Sequence, residues 1–245
     1  MIFPRWGCDF SENVSAPLFH AVQSWAGRRP DFWGLYLWDR HMQFDSGIRD
    51  MIPMLRSSSP GCRVLPIMNR VVDRRWSGSV QGQPGEAHGR GVSAARKAKE
   101  LALNAGIPPY RGIRIFVDLE CENVSVDWMR GWTEELLAVG QFLPGIYGNH
   151  RGPWAHNLFD NTARSQPAWL SKLRIWASHP CFGSPPHMRD ANSSSGLPFN
   201  LPGAQAGRVR ELQTTVWQAW EAIHVSPHHV VDVDVATEGG YAEMF

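Results

Sequence analysis

Short apolar runs recur along the chain, each bounded by turn-forming residues and each of a length typical of a buried β-strand. We predict eight strands, at residues 6–10, 32–37, 63–68, 113–120, 143–147, 173–177, 215–219 and 230–235. Apolar residues at helical spacing lie between the early strands and predict helices at 14–25, 47–56, 91–105 and 126–139. The first half of the chain therefore alternates strand and helix, as a parallel α/β barrel requires.

The boundaries of these helices carry local signals. Ser125 stands before the fourth helix as an N-cap, and Gly106 with Pro108 ends the third. Residues 71–91 are polar and rich in Gly, which predicts a long loop after the third strand. Residues 178–207 are loaded with Pro, Ser, Asn and Gly and are predicted to contain no normal helix. The later repeats are thus expected to be poor in helices.

The length of the chain bears on its domain organisation. Two small domains would fit 245 residues, but no linker rich in Ser, Gly or Pro separates two complete patterns. A TIM-type barrel has a usual size of about 250 residues. We therefore predict one α/β domain over residues 1–245, a TIM-like barrel of eight strands with helix-poor later repeats.

Acidic residues mark three of the predicted strands. Asp118 and Glu120 lie two apart on the fourth strand, so their side chains project from one face, roughly 6 to 7 Å apart at Cβ. Such a pair suits acid/base chemistry on a glycosidic bond. Glu12 and Glu122 also lie near strand ends and would replace an assigned acid if the strand register slipped by two.

Three further acids lie near the two ends of the chain. Asp9 follows the first apolar run, and Asp232 and Asp234 interrupt the last one. Because the first and last strands of a closed barrel are neighbours, we expect these acids to converge with the pair on the fourth strand. The sequence thereby predicts one acidic pocket.

Composition and motifs exclude several classes of function. The 24 Lys and Arg nearly balance 23 Asp and Glu, and a net charge of +1 gives no broad field for nucleic acid or an anionic membrane. Four Cys without CxxC pairing are expected to be reduced, partly buried thiols, and the His spacing matches no compact zinc pattern. No phosphate-binding glycine loop and no Gly-x-Ser-x-Gly elbow is present. We expect neither a metal nor a cofactor.

The amino-terminal sequence lacks the basic start and continuous apolar core of a secretory signal. No run reaches the roughly 18 apolar residues of a membrane span, so no membrane insertion is expected. These features predict a protein that is synthesised in the cytoplasm without a signal peptide. Reaching a cell wall would require another route.

Several short motifs occur in an order that resembles a known family. They are Gly7-Cys-Asp-Phe-Ser11, Val117-Asp-Leu-Glu120, Gly145-Ile-Tyr-Gly148, Ile175-Trp-Ala177, Val216-Trp-Gln218 and Val231-Asp-Val-Asp234. Together they resemble the glycoside-hydrolase-like TIM-barrel domains related to the Chalaropsis-type lysozymes of glycoside hydrolase family 25. The segments around Gly89 and Ala105 look most like a branch of uncharacterised function. The resemblance covers nearly the entire chain and implies a barrel with an acidic groove at the carboxyl ends of its strands.

The resemblance implies roles for the acids. Glu120 matches the acid/base that protonates the leaving oxygen, and Asp118 would orient a substrate 2-acetamido group that acts as internal nucleophile. Asp9 and Asp232 would bind sugar hydroxyls or tune Glu120. Asp234 stands where the related lysozymes more often carry Asn, so which C-terminal acid faces the groove stays open, with Asp232 preferred.

Four other residues are candidates to line the groove and bind sugar, with core packing as the rival interpretation: Tyr147, Trp176, Trp217 and Gln218.

The implied function is a lysozyme-like hydrolase of N-acetylated cell-wall glycan, with peptidoglycan as partner. A bacteriophage lysin or virion-associated hydrolase would fit a signal-free chain. The alternative is a catalytically silent barrel that binds glycan or serves as a structural part of a larger assembly, such as a phage tail with its virion proteins.

Overall fold

Eight strands join in chain order through backbone hydrogen bonds into a closed barrel. They are β1 (Arg5–Asp9), β2 (Phe32–Tyr36), β3 (Arg63–Met68), β4 (Ile113–Asp118), β5 (Phe142–Gly148), β6 (Arg174–Ala177), β7 (Gln213–Ser226) and β8 (His229–Ala236). The computed structural model describes residues 5–10, 14–37, 47–57, 61–68, 84–109, 112–119, 124–138, 142–149, 168–178 and 213–245. The predicted eight-stranded α/β barrel is confirmed.

The described helices are α1 (Ala16–Ala26), α2 (Gly47–Arg56), α3 (Pro84–Asn104), α4 (Val126–Ala138) and α5 (Glu238–Ala242), with a 3₁₀ turn at Leu170–Lys172. Helix α1 begins where Ser15 Oγ accepts a hydrogen bond from the Leu18 N–H at 3.3 Å, and it ends at Gly27, whose φ of 70° is left-handed. The predicted cap at Ser125 is confirmed, since its Oγ accepts from the Trp128 N–H at 3.2 Å. Within the described ranges, no helix combines the length and apolar character needed to span a membrane.

The last strand runs against its neighbours. Strands β1 to β7 pair in parallel, whereas β8 is antiparallel to both β7 and β1. Pro227 and His228 separate β7 from β8, which suffices for a hairpin but not for the crossover that a parallel connection needs. The predicted end of β7 at residue 219 is wrong, because pairing with β8 extends the strand to Ser226.

Helix α3 begins at Pro84, so the predicted loop over residues 71–91 is wrong in its last part. Residues 69–83 lie outside the described residues. The same holds for residues 179–212, which include most of the segment predicted to lack a helix. Between β5 and β7, the described part of the chain contains the 3₁₀ turn as its helical element.

Two glycines explain why α3 forms despite its glycine-rich start. A Cβ on Gly91 would lie 2.1 Å from the carbonyl oxygen of Trp128, and a Cβ on Gly131 would lie 2.2 Å from that of His88. The backbones of α3 and α4 therefore approach at a distance that side chains would prevent. Tertiary packing here outweighs the low intrinsic helix propensity of glycine.

The barrel interior combines large aromatic side chains with glycines. Gly7 lies in register with Phe32, and Gly145 with Phe116, so each ring fills the space of a missing side chain. A Cβ would lie 2.5 Å from the Phe32 ring at Gly7 and 2.6 Å from the Phe116 ring at Gly145. The interior apolar cluster consists of Phe32, Tyr36, Leu65, Ile67, Phe116, Tyr147, Trp176, Val216, Ala236 and Met244. The barrel is filled, as TIM-type barrels are, which leaves the site to its rim.

The amino-terminal end of the barrel is closed by residues 243–245, which follow α5. Strands β3 and β4 pair near their carboxyl ends, where Ile67 and Phe116 are partners. Near the opposite end, Phe245 exchanges two backbone hydrogen bonds with Val64, at 2.7 and 2.9 Å, and the Glu243 carbonyl accepts one from Arg114 at 2.9 Å. We call this segment, residues 243–245, the C-terminal seam, because it fills the gap between β3 and β4.

Arginines hold the C-terminal seam and α5 in place. Arg114 is 2% exposed, and its Nε lies 2.6 Å from Oε2 of Glu243. The guanidinium groups of Arg5 and Arg63 lie 4.7 and 4.3 Å from the ring centroid of Tyr241. This end of the barrel is thus built for stability, and the carboxyl end remains available for chemistry.

Candidate active site

Five polar side chains share the interior face near the carboxyl ends of the strands: Asp9, Asp118, Gln218, Asp232 and Asp234. Asp118, Gln218 and Asp234 each lie two residues from an interior residue of the same strand, namely Phe116, Val216 and Ala236. Asp9 lies two residues from Gly7, and Asp232 is the direct partner of Asp9 across the β1–β8 pair. Residues with this spacing project to one side of a sheet. The closed barrel therefore places polar groups from β1, β4, β7 and β8 on one surface.

A buried carboxyl pair forms where β1 meets β8. Antiparallel pairing sets Asp9 opposite Asp232 and Gly7 opposite Asp234, which confirms that the first and last strands are neighbours. Asp9 is 1% exposed and Asp234 is 0% exposed. The two side chains are hydrogen-bonded to each other, and the Trp176 Nε1–H donates to Asp234 Oδ1 at 3.1 Å.

The pKa of Asp234 is raised well above its ordinary value. Burial is the largest cause, and the charge of Asp232 raises the pKa further. The hydrogen bonds with Asp9 and Trp176 lower it by less. Burial of this hydrogen-bonded pair therefore opposes the ionisation of Asp234.

The indole of Trp176 lies beneath this pair and crosses the barrel from β6 to β2. Its ring centroid is 4.8 Å from that of Tyr147 and 5.6 Å from that of Phe116, both in edge-on contact. A Cβ on Gly34 would lie 2.7 Å from Trp176 Cη2 and 2.7 Å from Asp9 Cβ. The sequence prediction missed Gly34. A glycine inside an aromatic-rich strand is the signal that could have found it, since it marks a close approach.

Asp118 lies at the end of β4, half-buried, and pairs in register with Tyr147 on β5. The ring of Tyr147 is buried within the interior cluster. Glu120 lies outside the described residues, and so do the alternative acids Glu12 and Glu122. The predicted spacing between Asp118 and Glu120 therefore stays a prediction.

Asp232 contributes to the site in a different way from Asp234. Its Oδ1 accepts a hydrogen bond from the Ala222 N–H at 2.7 Å, and Gln218 bonds to the same carboxyl group. Ala222 has a φ of 54°, in the left-handed region that costs an L-residue energy, and the β7–β8 register shifts there. Burial raises the pKa of Asp232, while the two hydrogen bonds lower it. The sequence favours Asp232 as the groove acid, yet Asp234 makes the buried contact with Asp9.

The structure does not bring Trp217 to this surface. Trp217 lies in register with Val235 and packs against the core between the barrel and its helices, on the face opposite to that of Gln218. The other predicted groove residues, Tyr147 and Trp176, lie on the interior face. The indole of Trp217 thus serves packing outside the barrel.

Cysteine and metal chemistry find no support among the described residues. Cys8 and Cys62 are free and buried, and burial raises the pKa of both thiols, which opposes a thiolate nucleophile. The expectation of reduced thiols stays a prediction, and Cys121 and Cys181 lie outside the described ranges. Over the described part of the chain, no group of three or more His, Cys, Asp or Glu could hold a metal ion.

Comparison with solved structures shows the same fold in glycoside hydrolases. An uncharacterised protein from B. stearothermophilus is 25% identical, covers 98% of this chain and 100% of its own, and gives a TM-score of 0.74. A family 25 glycosyl hydrolase from Bacillus anthracis is 12% identical, with coverage of 98% and 93% and a TM-score of 0.55.

The catalytic domain of endolysin ply40 from bacteriophage P40 of Listeria monocytogenes is 14% identical, with coverage of 98% and 96% and a TM-score of 0.50. No protein-family model matches the sequence, and no curated protein sequence matches it. The chain therefore has the barrel fold of the family 25 glycosyl hydrolases, as the resemblance implies.

Proposed function

We propose that this protein is a lysozyme-type glycoside hydrolase that cleaves N-acetylated cell-wall glycan, with peptidoglycan as its substrate. The observation that carries the proposal is the cluster of acids at the carboxyl end of the barrel, with Asp9 and Asp234 paired above Trp176. Asp118 lies on the same face at the end of β4. The fold shared with a family 25 glycosyl hydrolase and an endolysin catalytic domain supports the same function.

The first step of the proposed reaction breaks the bond between C1 and the glycosidic oxygen. Glu120, as a carboxylic acid, gives its proton to the leaving oxygen while the carbonyl oxygen of the 2-acetamido group bonds to C1. Asp118 remains ionised, accepts the amide N–H and stabilises the positive charge on the ring that forms. The nucleophile thus belongs to the substrate, and Asp118 positions it.

The second step releases the sugar. Glu120, now a carboxylate, takes a proton from water while the water oxygen bonds to C1 and the bond to the acetamido oxygen breaks. The product carries a new reducing end, and Glu120 regains its proton for the next turnover.

The Asp9–Asp234 pair would lie beneath the sugar that reacts, because both carboxyl groups are almost unexposed. With one proton shared between them, the pair would place a single negative charge near Asp118 rather than two. Trp176 fixes the pair through its N–H and offers an apolar surface beneath it. In this arrangement the buried pair tunes the electrostatics of the site, and Asp118 and Glu120 perform the chemistry.

The test is an assay on purified bacterial cell walls, in which released muropeptides are identified by mass spectrometry. We expect new reducing ends from the natural protein and a loss of about 10²- to 10⁴-fold in rate for Glu120→Gln and for Asp118→Asn. Glu100→Gln is the control, because Glu100 is exposed on α3 and pairs with Lys97. Unchanged rates in the first two variants, with folding retained, would remove these acids from the mechanism.

The burial of Asp9 and Asp234 favours a second candidate function. Acids that are almost unexposed also fit a catalytically silent barrel, which binds glycan or forms a structural part of a phage tail. Similarity to an endolysin catalytic domain supports a bacteriophage setting for either function, with virion proteins as further partners. Retained glycan binding without cleavage across a broad panel of cell walls would favour this candidate.

A further inference from the structure

Beyond the acid cluster, β7 and β8 continue as a hairpin that the proposed mechanism does not use. We propose that the inner face of this hairpin is a sugar-binding subsite that recognises an N-acetyl group, with His224 and Val230 as its specificity-determining residues. The inference rests on the proposed function and names one further part of its substrate that the protein contacts.

The strand register places both residues on the face of the acids. Val230 lies four residues before Asp234 on β8, so the two side chains project to the same side. His224 is the direct partner of Val230 across the hairpin, and partners in an antiparallel pair share a face. At roughly 3.3 Å per residue, Val230 lies about 13 Å along the strand from Asp234.

The opposite face of the hairpin is occupied by packing. Ile223 pairs with Val231, and Val231 is fully buried in the core outside the barrel, against which Ile223 and Val225 also pack. On the inner face, by contrast, His224 is exposed and Val230 is only half-buried. The hairpin is therefore anchored on one side and presents the other side next to the acids.

Hydrogen bonds fix the shape of the hairpin at both of its ends. At the tip, Ser226 Oγ lies 2.9 Å from His229 Nδ1 and accepts the His228 N–H at 3.3 Å. At the base, Asp232 Oδ1 accepts the Ala222 N–H at 2.7 Å. A hairpin that is ordered before binding loses little conformational entropy when a ligand binds to it. This preorganisation is what a specificity element requires.

The chemistry of the pair matches an acetamido group better than a hydroxyl group. An imidazole can donate to an amide carbonyl, and the two methyl groups of valine can contact the acetyl methyl. A hydroxyl group would use His224 and leave Val230 without a suitable partner. The distance from Asp234 puts the contact on a sugar that does not react, so the contact should change substrate binding rather than the chemical step.

The first measurement compares the binding of two tetrasaccharides, N-acetylated chitotetraose (called chitotetraose below) and its fully de-N-acetylated counterpart. Binding is followed by calorimetry and by the NMR signals of His224 and Val230. It is made in the Glu120→Gln background, so that the ligand is not cleaved. We expect His224→Ala to weaken chitotetraose binding about five-fold, as the loss of one net hydrogen bond implies, and Val230→Ala to do so by a similar factor. His224→Gln should recover part of the affinity, because its amide also donates.

The control is His20→Ala, an exposed histidine on α1, for which binding should not change. Both hairpin variants should also lower the preference for the N-acetylated ligand over its counterpart. Equal binding with and without His224→Ala in the Glu120→Gln background, or an equal loss with His20→Ala, would overturn the subsite.

The second measurement separates the subsite from the proposed function. On cell walls, His224→Ala should raise KM about five-fold and leave kcat at the natural value. Cleavage that proceeds with unchanged KM in this variant refutes the subsite alone. Absence of cleavage by the natural protein refutes the proposed function, and binding in the first measurement then decides on the subsite.

Discussion

Replacing Asp234 of the buried carboxyl pair by Asn, its uncharged isostere, should make the free energy of unfolding less dependent on pH. In Asp234→Asn, the amide carbonyl can still accept the Trp176 N–H, and the NH₂ group can donate to Asp9 without any shared proton.

The magnitude follows from the raised pKa of Asp234. A folded-state pKa above the unfolded value means that the folded chain holds a proton that the unfolded chain has released. Stability contributed by this group is thus fully present below the unfolded pKa, near 3.9, and is lost as pH rises toward the folded pKa. In that window the natural protein loses about 1.4 kcal/mol per pH unit that Asp234→Asn retains.

The assay is urea unfolding at intervals between pH 5 and pH 8, with the free energy of unfolding extrapolated to water. The difference between Asp234→Asn and the natural protein should grow in favour of the variant as pH rises. Asp50→Asn, on the exposed surface of α2, controls for the loss of one carboxyl group. Parallel pH profiles for Asp234→Asn and the natural protein would refute the shared proton.

Further substitutions test the packing. Gly34→Ala should lower the free energy of unfolding by about 1–3 kcal/mol and abolish most activity, because its Cβ would lie 2.7 Å from two neighbours. Gly89→Ala, with nothing within 4 Å of the added Cβ, should raise the free energy of unfolding by roughly 0.5–1 kcal/mol. Thermal unfolding distinguishes the two variants. Arg114→Ala should lower the free energy of unfolding by about 3–5 kcal/mol, because it leaves Glu243 without its buried partner. A smaller loss of stability for Arg114→Met combined with Glu243→Gln would show that the charge is the cause. Ala222→Gly should stabilise by up to about 1 kcal/mol, since glycine tolerates the φ of 54°, and a loss in denaturant midpoint would contradict the strain.

The architecture of the barrel could be predicted because its signals are local. Apolar runs of strand length and the cap at Ser125 depend on neighbouring residues, and they gave strands and helices close to those observed. The start of α3 could not be predicted, because its glycines are favourable only against α4, where Gly91 and Gly131 let the backbones touch. The end of β7 likewise depends on its partner β8 rather than on its own sequence.

The candidate site was predictable in membership but not in arrangement. Strand alternation and barrel closure were enough to expect Asp9, Asp232 and Asp234 in one place. Their division of labour was not readable from the sequence, because it depends on which carboxyl group meets the indole of Trp176 and which one accepts the N–H of Ala222. Both contacts join residues that lie on different strands.

The C-terminal seam has a consequence for how the chain is made. Arg114 and Glu243 are 129 positions apart, and the gap between β3 and β4 is filled by residues 243–245. During synthesis, β3 and β4 leave the ribosome before these residues do, so part of their edges stays unpaired in the nascent chain. Unpaired strand edges can form hydrogen bonds with other chains. We expect nascent chains that stop before residue 243 to be the species that engages chaperones.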